Sequence, residues 1–156
     1  MQQVLIRGSA TTDEDKQALR EAEYHQTPHP ALLRARLSFD GGYHQKALDV
    51  LSDDLYKTLG QHLHRLEFLY RKGRVFQARR QFAEALHYFH LAINMGRYDT
   101  AYYACSAALQ CGLIHERLGH KAEAATYYDM CLEFAPETYA SGLHQEARIG
   151  LNRIGY

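Results

Sequence analysis

Three stretches of this chain repeat one spacing of small, turn-forming and large residues, and that recurrence restricts the fold more than any other feature. Aligned on Ala47, Ala85 and Ala124, each stretch has a small residue twelve positions earlier: Ala35, Gly73 and Gly112. Each has a turn position five earlier, at Gly42, Arg80 and Gly119, and a large apolar residue four later, at Leu51, Phe89 and Tyr128. The spacing predicts three pairs of helices folded back on each other. A small residue lets the two backbones approach, and a bulky side chain fills the space beside the contact. Such a pair cannot hide its apolar surface alone, so successive pairs must stack.

The third pair, Tyr98 to Pro136, is the most regular. Its first helix carries no charged residue between Asp99 and Glu116, which predicts neighbours on more than one side. Its second places Ala124, Tyr128, Cys131 and Ala135 on one face. The second pair is expected from about Leu63 to Arg79 and from Phe82 to Asn94, with Gly96 as a C-terminal stop. The first is expected from Ala31 to Phe39 and from Tyr43 to about Tyr56, around Asp40-Gly41-Gly42. Upstream, residues 1–11 are poorly patterned. Thr12, followed by Asp13, Glu14 and Asp15, predicts the N-cap of a helix running to about Tyr24, broken by Thr27-Pro28-His29-Pro30. A last helix is expected from about Glu137 to Ile154, with Tyr139, Leu143, Ala147, Gly150, Leu151 and Ile154 on one side. The expected organisation is an all-α chain: tail and helix over 1–28, three helix pairs over 29–136, and a capping helix over 137–156.

Composition narrows the function classes. Eighteen basic residues balance eighteen acidic ones, which removes the simplest case for non-specific nucleic-acid or anionic-membrane binding. Three cysteines argue against a disulfide framework. The run Val4-Leu5-Ile6 is too brief for a signal-peptide core or a membrane span. The default compartment is therefore cytoplasmic, unless the chain is a piece of a longer, targeted protein.

At the aligned positions the sequence resembles the tetratricopeptide repeat family. The third pair matches through Gly112, Gly119, Ala124, Tyr128 and Pro136, with Cys131 where alanine is usual. The second matches through Leu69, Gly73, Phe76, Phe82, Ala85, Phe89 and Ala92, and the first through Ala35, Gly42, Ala47 and Leu51. The spacings, 85 − 47 = 38 and 124 − 85 = 39, exceed the family period of about 34. The extra residues are expected to lengthen a helix or the connections near Leu55–Gln61 and Gly96–Thr100. Only the third copy ends in proline, and a related all-helical solenoid fits the same pattern.

The resemblance implies a right-handed solenoid of helical hairpins whose concave face is lined by the first helix of each pair. That nominates Arg36 and Phe39 (with Leu32) from the first pair and Glu67, Tyr70, Arg71, Arg74 and Gln77 from the second. Leu109, Leu113 and Arg117, with Ser106 and Glu116, come from the third. Some family members clamp a peptide's C-terminal carboxylate there with lysine, arginine and asparagine. Here Leu109 and Leu113 hold the third pair's inward slots, so that clamp is not expected. The implied function is non-catalytic binding of a protein or peptide segment carrying acidic and apolar residues. A chaperone-like holder of secreted or membrane-protein segments, and the terminal structural part of a longer repeat protein, are the alternatives.

Other chemistry finds less support. His62 and His64 would point about 200° apart on a helix. His87 and His90 share a face, but no cysteine or carboxylate spacing completes a tetrahedral set around them. Packed or surface histidine, with no metal or other cofactor, is the expectation. Cys111 and Cys131 are expected to face each other across the third pair as small apolar residues. No Gly-x-Ser-x-Gly or phosphate loop is present, and no catalytic residue is nominated.

Overall fold

The computed structural model describes residues 28–156, which form eight α-helices and no strand. The expected helix between Thr12 and Tyr24 lies outside the described residues. Helix α1 spans Pro30–Asp40, α2 His44–Val50, α3 Asp53–Thr58, α4 His62–Ala78, α5 Phe82–Gly96, α6 Tyr103–Arg117, α7 Lys121–Glu133 and α8 Ala140–Arg153. The start of α1 follows from its sequence. Proline occupies the first turn, where no N–H is needed, and the His29 Nδ1 accepts the Ala31 N–H at 3.1 Å.

The three aligned turn positions are equivalent in three dimensions. Gly42, Arg80 and Gly119 all adopt left-handed backbone, at φ of 83°, 60° and 81°. Each closes its helix with the same two bonds: Gly42 N–H to Phe39 O and Tyr43 N–H to Ser38 O, Arg80 N–H to Gln77 O and Gln81 N–H to Phe76 O, and Gly119 N–H to Glu116 O and His120 N–H to His115 O. This is the Schellman motif, which satisfies carbonyls that the helix end leaves open. The end of α8 repeats it at Gly155, with Tyr156 N–H on Leu151 O. These turns place α1 on α2, α4 on α5, and α6 on α7, while α5 packs on α6 and α8 covers α6 and α7.

In the second and third pairs the small-over-large contacts form as the spacing requires. A Cβ on Gly73 would come within 2.7 Å of the Phe89 ring, and one on Gly112 within 2.6 Å of the Tyr128 ring. Leu51, Phe89 and Tyr128 are fully buried, as are Ala47, Ala85 and Ala124, within one continuous core.

Three expectations need correction. The helix expected from Tyr43 to Tyr56 is two, because Ser52 caps a new one. Its hydroxyl accepts the Leu55 N–H at 3.1 Å, and Asp53 and Asp54 fill the first turn, where the helix dipole favours acids. Gly96 does end α5, and it also serves close packing, since a Cβ there would meet Leu66 of α4 at 2.8 Å and Ala104 of α6 at 3.2 Å. Helix α6 begins only at Tyr103, since residues 97–102 form a connection. Helix α8 begins at Ala140, after Tyr139 turns left-handed at φ 64°, and Glu137 N–H bonds Thr100 O across the two connections. The residues that lengthen the spacing thus sit in α3 and in the 97–102 connection.

Candidate functional site

A groove of about 370 Å³ opens where α1 and α4 meet the connections before α6 and α8. Helix α1 contributes Ala35, Arg36, Phe39 and Asp40, and α4 contributes Tyr70, Arg71, Arg74 and Val75. Tyr102 and Tyr139 close the far side. The helical spacing explains the first two walls. Arg36 and Phe39, three apart, share a face of α1. Tyr70, Arg71 and Arg74 occupy i, i+1 and i+4 on α4.

Five of the nominated residues meet in this groove: Arg36, Phe39, Tyr70, Arg71 and Arg74. Their polar groups are ordered. The Tyr70 hydroxyl lies 2.7 Å from Ser106 Oγ and accepts Arg74 Nη1 at 3.1 Å. The Arg74 guanidinium also lies over the Phe39 ring, 5.7 Å from its centroid. Its Nε is buried and has no hydrogen-bond partner. Arg71 is tied to Glu67 one turn earlier. Burial works against the Arg71 charge, but the Glu67 carboxylate together with Tyr103 and Tyr102 outweighs it, so the pKa lies above the ordinary arginine value. Burial pushes the Tyr102 phenol up to about 12, and it raises the adjacent Tyr103 well above the ordinary phenol value. Arg36 is exposed at the groove's edge. Three guanidinium groups face two carboxylates, Asp40 and Glu67, and Glu67 is occupied by Arg71. The groove can therefore accept one anionic group beside an apolar or aromatic one.

The other nominated residues lie elsewhere. Gln77 donates to Gln110 Oε1 at 2.8 Å and joins α4 to α6. Leu109 is only 1% exposed and belongs to the core, because α6 is enclosed along most of its length. Leu113 is half-buried, and Arg117 is exposed at the end of α6; neither lines the groove. Glu116 is engaged by Tyr128, whose hydroxyl donates to Oε1 at 2.6 Å, and by a two-point contact from Arg153. It serves as a clasp between α6, α7 and α8. Sequence reasoning missed Tyr102 and Tyr139 as groove residues. The density of tyrosine from Tyr98 to Tyr103 was the available signal for the first, whereas Tyr139 was expected inside a helix.

The cysteines pair differently from expectation. Cys105 and Cys131 approach with Sγ atoms 3.6 Å apart, while Cys111 is buried without a second thiol beside it. The Cys131 hydrogen bond and burial push the Cys105 thiol up, and burial alone raises Cys111, so both are held as neutral thiols. Among the described residues, no three side chains of metal-ligating type converge. Nor is any helix among them long and apolar enough to cross a membrane.

No family model matches the chain, and no curated protein or solved structure matches it significantly.

Proposed function

We propose that this chain is a non-catalytic protein-interaction module, built as a tetratricopeptide-like solenoid of helical hairpins. In this reading its α1–α4 groove binds an extended or helical segment of a partner protein. The observation that carries the reading is the groove itself. Arg36 and Arg74, the latter with a buried Nε lacking any partner, stand beside the rings of Phe39, Tyr70, Tyr102 and Tyr139. Such a surface suits a carboxylate side chain flanked by an apolar or aromatic anchor: the guanidinium groups supply charge-assisted hydrogen bonds, and the rings supply apolar area. The equivalence of the Gly42, Arg80 and Gly119 turns, with the recurring small-over-large contacts, supports the repeat architecture.

Selection from a displayed library of short peptides tests the reading. Enriched sequences should pair Asp or Glu with an aromatic or large aliphatic residue. Arg36→Glu, at an exposed position, should weaken their binding by about tenfold or more, the scale of one charged hydrogen bond, with the helical circular dichroism unchanged. Binding indifferent to Arg36→Glu and to Phe39→Ala would rule the groove out. A chaperone-like holder would instead suppress client aggregation with no dependence on Arg36.

A further inference from the structure

The turn between α6 and α7 holds a second arrangement, remote from the groove residues in sequence and independent of the binding reading. Its longer Schellman bond runs from His120 N–H to His115 O at 2.8 Å, with Gly119 left-handed between them. In the corresponding turns that bond joins Tyr43 to Ser38 and Gln81 to Phe76. In the third pair both bracketed residues are histidine. Their rings lie 5.6 Å apart, and their Nδ1 atoms face each other at 3.3 Å.

We propose that His115 and His120 form a two-nitrogen chelate for a divalent transition-metal ion that favours imidazole, with zinc, nickel and copper as the candidates. Two metal–nitrogen bonds of about 2.05 Å at a tetrahedral angle require a nitrogen separation of about 3.3 Å. The two rings already show that separation. Only one proton can lie between the facing nitrogens, so at least one lone pair is directed at the other ring.

The backbone hydrogen bonds and the glycine fix both residues before any ion arrives. Tyr127 holds the His115 ring from the side: the rings are parallel within 3° at 5.3 Å, and the Tyr127 hydroxyl is hydrogen-bonded to His90 Nε2 at 2.6 Å. With two protein donors, water fills the remaining positions. Imidazole donors favour a borderline ion over magnesium or calcium.

Zinc chloride titrated into the full chain at neutral pH, followed calorimetrically and by long-range ¹H–¹⁵N imidazole spectra, tests the proposal. One zinc should bind, and the His115 and His120 Nδ1 signals should move together. His120→Asn, an exposed substitution, should keep the helical spectrum and lose at least about tenfold in affinity. His44→Asn should bind as the parent does. The proposal is overturned if zinc produces no heat, if His120→Asn binds as tightly as the parent, if the shifts fall on other histidines, or if His44→Asn loses as much as His120→Asn. That last pattern would mark adventitious binding. Loss of peptide binding in the α1–α4 groove would leave the zinc result untouched, and the reverse holds too.

Discussion

The ring of Tyr128 packs against Gly150 so closely that a Cβ there would stand 2.5 Å from it. Gly112, from a different helix, approaches the same ring at 2.6 Å. Tyr128 is fully buried, and its hydroxyl is anchored on Glu116, so the ring cannot swing aside for an added methyl group. Glycine within a helix ordinarily gains about 1 kcal/mol when replaced by alanine. Here the sign should reverse. Gly112→Ala and Gly150→Ala should each cost about 1–3 kcal/mol in chemical denaturation, through overpacking at the α6–α7–α8 junction. A gain in stability from either would show that the ring does not sit where the spacing puts it.

Arg80 occupies the position that glycine holds in the two flanking turns, at φ 60°. An L-residue in this conformation costs about 1 kcal/mol that glycine does not pay. Arg80→Gly should therefore raise the unfolding free energy by about 0.5–1 kcal/mol, and Gly119→Ala should lower it by a similar amount. Equal stabilities across the three proteins would contradict the equivalence of the turns.

Glu116 and His64 both contribute to the response to acid. The Arg153 hydrogen bond, and secondarily that from Tyr128, hold the Glu116 carboxyl below its ordinary value of 4.5. The folded state thus binds fewer protons there than the unfolded chain, so this contribution is complete above pH 4.5 and fades as pH falls through the lower folded value. Burial, and then the neighbouring His29, lower His64 from 6.5. Its contribution likewise fades as pH drops below 6.5, because the unfolded chain takes up the proton first. Melting temperature measured from pH 8 to pH 4 should fall in these two steps. Glu116→Gln should flatten the lower one and cost about 0.5–1 kcal/mol at neutral pH, since the partly exposed pair is screened. A profile unchanged by Glu116→Gln would mean that the clasp does not hold α8.

The packing of the helix pairs was legible because it depends on local chemistry. A left-handed turn, a small residue at a crossing and a ring four residues past the aligned alanine leave their mark at fixed spacing. The break between α2 and α3 was legible too, in Ser52-Asp53-Asp54, but the helical period running through Leu51 and Leu55 masked that cap. The absence of charge from Thr100 to His115 correctly implied that α6 is enclosed. The same enclosure removes Leu109 from any partner-facing surface. The groove was half legible. Arg36, Phe39, Tyr70, Arg71 and Arg74 share helix faces, whereas Tyr102 and Tyr139 reach it from connections, where no period predicts direction. Cys105 meets Cys131 in place of Cys111, a choice set by how α6 rotates against α7.

The most direct measurement of the binding account is an amide NMR titration of the full chain with a peptide enriched by display. The account predicts saturable shifts that gather on Arg36, Phe39, Tyr70, Arg74, Tyr102 and Tyr139 and vanish in Arg36→Glu. Shifts confined to α7 and α8, or a pattern unaltered by Arg36→Glu, would contradict it.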